Sequence, residues 1–200
     1  MRDQGAFPLG LQLNHGPVGL RMIRQRDMGD WRAVRMANYQ WLKPWDATMP
    51  PEAAAAAPTF QAMVRQMRSD ARAGRMLPFV VTYDGRLVGQ VTVGGVVWGS
   101  LRAGYIGYWI DQAYAGRGIT PIAVALAADY CMDQARLHRL EINIRPENVA
   151  SRRVVEKLGF TFEGARARYL HIDGDWRDHH CYVHTREDRT GPLLQAVLGR

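Results

Sequence analysis

The sequence is poor in the features that mark secreted and membrane-spanning proteins. It has only two cysteines, Cys131 and Cys181, which are too few for a disulfide framework. No apolar run approaches the roughly 18–20 residues that a helix needs to cross a bilayer, and residues 1–16 lack the apolar stretch of a secretory signal. There is also no run of basic residues that would form a nucleic-acid-binding tail. We therefore expect a cytoplasmic protein without membrane contact.

What the chain does have is the composition of an ordinary globular domain and an excess of positive charge. Hydrophobic residues make up 47% and charged residues 22% of its 200 residues, which is enough to bury a sizeable core. Lysine and arginine total 26 against 19 aspartate and glutamate, so the net charge is +7. Because these charges are spread along the chain, most of them are expected to be solvated surface. Affinity for RNA, phosphate-rich ligands or acidic protein nevertheless stays open.

Hydrophobic periodicity predicts one α/β domain in which about four helices pack on a mixed sheet of about seven strands. Predicted strands cover 19–24, 77–83, 86–97, 103–111, 140–144, 160–172 and 176–184, and predicted helices cover 27–38, 60–73, 119–130 and 148–158. We place the domain at residues 18–187, with a C-terminal tail over 188–200. The N-terminal extension over 1–17 has few apolar positions, which allows disorder. An alanine-rich connector is bounded by Pro51 and Pro58.

The segment with the clearest chemistry, AGRGIT, lies between a predicted strand and a predicted helix. Gly116 and Gly118 let the backbone turn closely around an anion, because they have no Cβ atom to clash with it. The helix that begins with Ile119 and Thr120 adds unpaired N–H groups and the positive end of its dipole. Arg117 adds charge at the rim. This layout predicts a pyrophosphate-binding loop.

Two better-known phosphate loops do not fit this segment. A dinucleotide-binding G-x-G-x-x-G fingerprint would need a third glycine where Pro121 stands, and the pattern G-x-x-x-x-G-K-[ST] occurs nowhere in the chain. A G-x-G pair alone is a weak signal, since a tight turn before a helix needs the same glycines. The surrounding motifs must therefore decide between a structural turn and a phosphate site.

The surrounding motifs make the sequence resemble the GNAT acyltransferases. The glycine loop follows the strand sequence GYWI at residues 107–110 and precedes an N-x-x-S motif that begins at Asn148. WLKPW at residues 41–45 and YLHIDGDWRDH at residues 169–179 are similar to the RimJ/RimL branch, and the second is nearer to its RimJ members. The resemblance covers about residues 18–187. It implies a GNAT fold, with acetyl-CoA as the acetyl donor held by the loop.

The chain departs from the family's loop pattern, [QR]-x-x-G-x-[GA], at two positions. Ala115 stands where the family has Gln or Arg, and Thr120 stands where it has Gly or Ala. Both departures leave the backbone N–H donors in place, so we expect the loop to bind pyrophosphate all the same. A side-chain contribution at Ala115 is not expected.

The resemblance also assigns roles to residues along a gap between two central strands. Backbone groups of Trp109 and Ile110 would hydrogen-bond the pantetheine arm, and an N–H group there would stabilise the tetrahedral oxyanion. Ser151 would protonate or hydrogen-bond the leaving sulfur, with Asn148 in contact with the pantetheine amides. The alternative is that Asn148 and Ser151 are only the N-cap and third residue of a helix.

A general base is harder to place. Glu141 and Asn143 alternate onto one face of a predicted central strand, and Glu141 would reach an acceptor amine through a water molecule. The alternative for Glu141 is a solvated or ion-paired surface carboxylate. RimL-like members carry a glutamate where Leu170 stands here, so that base does not transfer to this chain.

Basic and aromatic side chains complete the predicted site. Arg152, with Arg153 and Lys157 as alternatives, would meet the 3′-phosphate of coenzyme A, unless these residues form only a solvated helix face. Tryptophans in the WLKPW motif would line the acceptor cleft in family members, although single aromatic residues are more often core or loop anchors. The predicted acceptor contacts are Trp41, Trp45, Tyr108, Tyr169 and Asp178.

A cluster of histidine and cysteine residues near the C-terminus raises the question of a metal site. On a strand, His179 and Cys181 point to one face while His180 and His184 point to the other. Neither C-x-x-C nor H-E-x-x-H spacing accompanies them. We therefore expect no bound metal.

The sequence thus predicts a GNAT acetyltransferase that moves an acetyl group from acetyl-CoA to a primary amine by direct attack. The resemblance to RimJ members implies that the amine is the N-terminal α-amine of a ribosomal protein that begins with alanine. Contact with the ribosome or rRNA would then use part of the excess positive charge. Two alternatives remain: the same reaction on a small-molecule amine, and a non-catalytic CoA-binding or ribosome-binding module.

Overall fold

The computed structural model describes residues 5–53 and 58–199 of the chain. The strands in these residues are β1 (Gln12–His15), β2 (Val18–Met22), β3 (Leu77–Tyr83), β4 (Arg86–Val97), β5 (Ala103–Ile110), β6 (Arg139–Ile144), β7 (Thr161–Ile172) and β8 (Asp175–Thr185). The α-helices are α1 (Met28–Ala37), α2 (Tyr39–Leu42), α3 (Phe60–Arg72), α4 (Ile119–Asp133), α5 (Val149–Lys157) and α6 (Leu193–Leu198). Short 3₁₀ turns occupy Gln25–Asp27, Lys43–Trp45, Pro51–Ala53 and Gln112–Tyr114.

All eight strands form one sheet in the order β1-β2-β3-β4-β5-β6-β8-β7. Neighbouring strands are antiparallel except β5 and β6, which are parallel and joined by the crossover helix α4. This parallel pair is in register only where residues 103–105 face residues 139–141, and the two strands separate beyond that point. The sheet therefore has a gap at its centre, between the C-terminal halves of β5 and β6.

Helices cover both faces of the sheet on one side of the gap. Helix α4 packs on β1, β2, β4 and β5 and also contacts α5 and α6, which explains why it is apolar around most of its circumference. On the opposite face, Phe60 and Val64 of α3 pack with Ile23, Val80 and Leu87, and each such buried side chain contributes roughly 1.5–3 kcal/mol. Within residues 5–53 and 58–199, no helix is long and apolar enough to cross a membrane.

The predicted α/β class and mixed sheet are confirmed. Strands β3 and β4 cover the predicted residues, and Asp84 and Gly85 between them both have positive φ, as a two-residue hairpin turn requires. Helices α2 and α6 were not predicted because, at four and six residues, they are too short to show a helical period.

The predicted N-terminal extension packs on the domain over its described residues, 5–17. Strand β1 pairs with β2, and Phe7 is buried in the core with its N–H donating to the oxygen of Ala71 at 2.9 Å. A four-residue strand depends on its neighbour for stability, so its own sequence carries little signal. The boundary at residue 18 remains a prediction.

The predicted C-terminal tail also packs on the domain. Leu193 is buried beside α4, and the carboxylate of Asp129 accepts the N–H groups of Leu193 and Leu194 at 2.8 and 3.0 Å. These two bonds hold the start of α6 against α4. In the predicted connector, Pro51–Ala53 form a 3₁₀ turn, and residues 54–57 lie outside the described residues.

Candidate active site

A cavity of about 680 Å³ opens where β5 and β6 separate. Its walls come from the N-terminal ends of α4 and α5, from residues 107–110 of β5, from Gln90 and Thr92 of β4, and from residues 41–46 after α1. The predicted site residues that line it are Trp41, Trp45, Tyr108, Trp109, Ile110, Gly116, Gly118, Ile119, Thr120, Asn148 and Ser151. The fold thus brings most of the predicted cofactor residues together with the two tryptophans of the WLKPW motif.

The two loop glycines adopt the left-handed conformation, with φ of 75° at Gly116 and 77° at Gly118. Residues with a Cβ atom are strained there, which explains glycine at both positions. Gly118 is the N-cap of α4 and makes no side-chain cap bond, so N–H groups of the first turn stay available to an anion. A Cβ atom at either glycine would meet no atom within 4 Å, so the space beside the loop is open. These observations fit a pyrophosphate group.

Backbone groups of β5 face the gap in an alternating pattern. The N–H of Asp111 donates to β4 at 2.8 Å, so Trp109, two residues earlier, also turns its N–H and C=O toward β4. Tyr108 and Ile110 turn theirs toward the gap, where the Nε1–H of Trp41 donates to the oxygen of Ile110 at 3.2 Å. The available donors are therefore the N–H groups of Tyr108 and Ile110. Trp109 contributes its side chain to the cavity wall rather than the predicted backbone contact.

Asn148 and Ser151 cap a helix and also lie in the wall of the cavity. The N–H of Ser151 donates to Oδ1 of Asn148 at 3.0 Å, so the pair caps α5, and both residues also line the cavity. The hydroxyl of Tyr108 donates to the main-chain oxygen of Ser151 at 3.3 Å. Burial raises the pKa of Tyr108, so this hydroxyl stays protonated and holds the first turn of α5 beside β5.

Of the three basic residues considered for the 3′-phosphate, Arg153 and Lys157 line the cavity and Arg152 does not. Positions 153 and 157 are four residues apart and share a helix face, whereas Nη1 of Arg152 donates to the oxygen of Pro146 at 3.4 Å. The geometry favours Arg153 and Lys157 over the predicted Arg152. The predicted rim residue Arg117 lies over the ring of Tyr114, which itself lines the cavity, at 5.2 Å.

Residues 41–46, on the far side of the cavity from the glycine loop, are held by two arginines. The guanidinium of Arg145, which follows β6, lies over the ring of Trp45 at 5.5 Å and donates to the oxygen of Pro44 at 2.8 Å. Arg35 of α1 forms an ion pair with Asp46 through two hydrogen bonds. These contacts orient the predicted acceptor tryptophans from β6 and from α1.

The same segment is also tied to the hairpin between β7 and β8. Nζ of Lys43 lies 3.5 Å from Oδ1 of Asp173. Thr48 is joined to His171 twice, through its N–H to the main-chain oxygen at 2.9 Å and through its hydroxyl to Nδ1 at 2.7 Å. The hairpin that carries the DGDW turn of the RimJ-like motif therefore supports residues 41–46 from outside the cavity.

Glu141 and Asn143 do not line the cavity. The carboxylate of Glu141 accepts hydrogen bonds from Arg139 at 2.9 Å and from Arg166 at 2.7 Å. Burial raises the pKa of Glu141, but the hydrogen bonds and charges of these two arginines outweigh it and hold the pKa below its usual value. A carboxylate with a lowered pKa is a weak base, so the ion-paired alternative is favoured. Oδ1 of Asn143 is buried and has no hydrogen-bond partner among the described residues.

Tyr169 and Asp178 belong to the β7–β8 hairpin and do not line the cavity. The hydroxyl of Tyr169 accepts a hydrogen bond from Arg166 at 3.1 Å, and its ring packs against His179. The carboxylate of Asp178 accepts the N–H of Arg168 at 2.7 Å, where φ is 47° and the register between β7 and β8 shifts. Asp178 thereby stabilises an irregular strand, and an acceptor contact by either residue stays a prediction.

Two histidines of the C-terminal cluster, His179 and His184, have main-chain partners. Nδ1 of His179 lies 3.0 Å from the oxygen of Arg177, and Nδ1 of His184 lies 3.2 Å from the oxygen of Gly159. In the part of the chain that the structure describes, no three His, Cys, Asp or Glu residues are grouped as metal ligands. These imidazoles act as packing and hydrogen-bonding groups.

Sequence reasoning missed three polar side chains that line the cavity, Asp46, Gln90 and Thr92. Oε1 of Gln90 accepts the Nε1–H of Trp31 at 2.9 Å, and its Nε2 donates to Thr92 at 3.0 Å. The available signal was a glutamine within the apolar run LVGQV, since buried glutamine is uncommon. Asp46 had no such signal, because only tertiary contacts turn residues 41–46 toward the cavity.

Comparison with known proteins assigns the chain to a family. A model of the acetyltransferase (GNAT) domain matches residues 18–161, more than half of the chain. The chain belongs to the GNAT acetyltransferase family. The resemblance seen in the motifs is thus confirmed, together with the GNAT fold and the acetyltransferase class.

Relatives of this GNAT chain include enzymes named for ribosomal proteins. The structure of Mycobacterium smegmatis RimJ in complex with CoA-disulfide is 38% identical, with a TM-score of 0.88 over 95% of this chain and 94% of that one. The [ribosomal protein uS5]-alanine N-acetyltransferase of Escherichia coli is 30% identical over 173 residues, 86% of this chain and 89% of that protein. The probable N-acetyltransferase YjcK of Bacillus subtilis is 42% identical over 96 residues, which span 48% of this chain and 53% of YjcK.

Proposed function

We propose that this GNAT enzyme transfers the acetyl group of acetyl-CoA to the N-terminal α-amine of a ribosomal protein that begins with alanine. The observation that carries the proposal is one cavity that joins the glycine loop to the wall at Trp41 and Trp45 through the gap between β5 and β6. Similarity to the E. coli [ribosomal protein uS5]-alanine N-acetyltransferase supports this acceptor, because the match extends over most of both chains.

The α4–α5 side of the cavity binds the coenzyme. N–H groups of the first turn of α4, with the positive end of the helix dipole, hold the pyrophosphate. Arg153 and Lys157 supply charge for the 3′-phosphate. The N–H groups of Tyr108 and Ile110, with the Asn148 side chain, line the gap where the pantetheine arm lies. Acetyl-CoA itself supplies the activated thioester carbonyl.

The residues around the gap then promote direct attack by the amine. The N–H group of Tyr108 or Ile110 stabilises the negative charge that develops on the carbonyl oxygen. The Ser151 hydroxyl donates a hydrogen bond to the sulfur as the C–S bond breaks and the new N–C bond forms, and water takes the proton of the amine. An acyl-cysteine is not involved, since Cys131 and Cys181 are buried, do not line the cavity, and have raised pKa values through burial.

Two measurements, made one after the other, test the proposal. At a concentration of about 100 times its Kd, acetyl-CoA adds about 2.7 kcal/mol of stability, which raises the Tm of a chain of this size by roughly 5–10 °C. Thiol release is then followed with a peptide that begins with alanine, with the same peptide N-acetylated, and with spermidine. We expect release with the free peptide only.

Each outcome separates one alternative. No Tm shift with acetyl-CoA would remove the coenzyme site. A shift without thiol release on any amine would favour the non-catalytic binding module, and release with spermidine but not with the peptide would favour a small-molecule acceptor. Full turnover in Ser151→Ala would remove the role of the hydroxyl at the leaving sulfur, while Ser151→Thr keeps the hydroxyl and serves as its control.

A further inference from the structure

A face of the molecule outside the active-site cavity carries five arginines. An open groove of about 590 Å³ is lined by Arg24, Arg26 and Arg68, together with parts of the N-terminal segment. Arg65 and Arg72 lie three residues before and four residues after Arg68, so α3 places all three on one side. We refer to these five residues as the α3 arginine face.

Among the described residues, no carboxylate neutralises the charges of the α3 arginine face. Asp27, which is 4% exposed, is bound by Arg21 through two hydrogen bonds of 2.8 and 2.9 Å. Asp70 of α3 is bound by Arg75 at 2.5 Å, and the exposed Asp30 forms no ion pair with this face. Over the described ranges, none of the five arginines has an ion-pair partner. Two of these acids are thus occupied by other arginines and the third does not pair with the face, so five positive charges remain for a ligand.

We propose that the α3 arginine face binds the phosphate backbone of RNA. A guanidinium group is always charged and presents a planar fork that matches phosphate oxygens. Three arginines on one side of a helix and two at the adjoining turn form the basic stripe that tracks a nucleic-acid backbone without reading its sequence. The source of the RNA rests on the proposed function, because an acceptor that is a ribosomal protein assembles with rRNA.

The surroundings of the face favour RNA over a lipid surface. Proteins that lie on membranes insert an apolar face beside their basic residues. Here the large apolar side chains of α3 pack toward the sheet, with Phe60 and Val64 buried, and no large apolar side chain in the described part of α3 is strongly exposed. The face therefore offers charge without an apolar anchor.

The groove and the active-site cavity share no lining residue. Acetyl-CoA bound in the cavity would therefore leave the α3 arginine face free, while it would cover Arg153 and Lys157. This separation allows the two basic regions of the protein to be distinguished in one experiment.

The experiment measures binding of a fluorescent RNA duplex to the full chain by anisotropy, at several salt concentrations and with saturating acetyl-CoA. The variant is R26A/R65A, because both side chains are exposed, whereas Arg68 also donates to the main-chain oxygen of Ile23. The matched control is R86A/R186A, which removes two exposed arginines elsewhere. Each lost phosphate contact lowers the magnitude of the slope of log K against log[salt] by roughly 0.7–0.9. The slope of the double variant should therefore be smaller by about 1.4–1.8, and its RNA affinity about tenfold weaker.

Three results would overturn the proposal: equal binding by R26A/R65A and wild type, loss of RNA binding when acetyl-CoA is added, or tighter binding to vesicles of anionic lipid than to RNA. An equal loss of RNA affinity in R86A/R186A would also contradict it, because the loss would then follow from the lower net charge and not from this face. Thiol release with the alanine peptide is measured on the same variants and should not change. If the proposed acetylation fails while RNA binding follows the prediction, the face binds RNA independently of that function.

Discussion

The two walls of the active-site cavity are built in different ways. The proposed coenzyme wall consists of a glycine loop, the ends of two helices and a strand edge, so most of its donors are backbone N–H groups. The proposed acceptor wall, residues 41–46, has no long helix or strand of its own and is held by side chains from α1, from Arg145 after β6 and from the β7–β8 hairpin. Backbone donors depend on local conformation, whereas the acceptor wall depends on distant partners.

This difference predicts that the two walls respond separately to mutation. A change in the loop should alter coenzyme binding and leave peptide recognition intact, and a change in the ties of the acceptor wall should do the reverse.

The largest effect is expected for Gly118→Glu. The substitution places a carboxylate on a left-handed backbone position beside the phosphate site, so repulsion and strain should weaken acetyl-CoA binding at least about 100-fold, which corresponds to about 2.7 kcal/mol. Thermal shift and calorimetry measure the loss. The matched control is Gly85→Glu, which imposes the same charge and a similar φ of 79° at a hairpin turn outside the cavity. Normal coenzyme binding by Gly118→Glu would contradict the loop assignment.

A smaller effect, on the peptide and not on the coenzyme, is expected for Arg145→Ala. Loss of the contacts to Pro44 and Trp45 should loosen the acceptor wall and raise KM for the alanine peptide about tenfold, about 1.4 kcal/mol. The Kd of acetyl-CoA should stay unchanged, with Arg86→Ala as the control for charge. If coenzyme affinity falls as much as peptide KM rises, the two walls are not independent.

Glu141→Gln tests whether the carboxylate beside the gap is structural or catalytic. Because its folded-state pKa is lowered, the ionised carboxylate stabilises the fold above the ordinary pKa of 4.5, and this contribution is lost as the pH falls through the folded-state value. We expect the variant to be less stable than the wild type by about 1 kcal/mol at pH 7, which is a Tm loss of about 2–4 °C. This difference in stability should shrink as the pH is lowered. Turnover should stay within about threefold. A loss of kcat without a loss of Tm would restore the general-base role.

The smallest effect is expected for the cations of the coenzyme wall. Arg153→Ala and Lys157→Ala should each weaken acetyl-CoA binding about threefold, in the range of partly solvated ion pairs. Arg152→Ala, on another side of the helix, should have no effect. The difference between the variants should vanish with the dephospho form of acetyl-CoA, which lacks the 3′-phosphate. A persistent difference would place the two cations at the pyrophosphate instead.

The coenzyme wall was largely predictable from the sequence for a physical reason. Gly116 and Gly118 are needed by left-handed backbone that few other residues adopt, and Asn148 caps its helix through a local bond to Ser151. Both signals lie within a few neighbouring residues. The exception is Arg152, because choosing among adjacent basic residues requires the rotation of α5 relative to the cavity.

The acceptor side was predicted only in part. Trp41 and Trp45 were found through a motif, but Asp46, Gln90 and Thr92 were not, and Glu141 proved to be ion-paired with Arg139 and Arg166. These outcomes depend on contacts between residues far apart in the chain. Strand β1 was not predicted for the same reason, since its four residues are stabilised by pairing with β2 and show no clear pattern of their own.

The sequence by itself determined the α/β class, the GNAT loop and the capped helix α5, because glycine conformation, capping and hydrophobic period are local properties. The tertiary structure alone decided how the positive charge is distributed. It pairs Arg35 with Asp46, Arg139 with Glu141 and Glu163, and Arg145 with Glu147. It turns Arg153 and Lys157 into the cavity, and it leaves the five arginines of the α3 arginine face without a carboxylate partner among the described residues. A net charge counts residues along the chain, and only the fold determines which of them already have a neighbour of opposite charge.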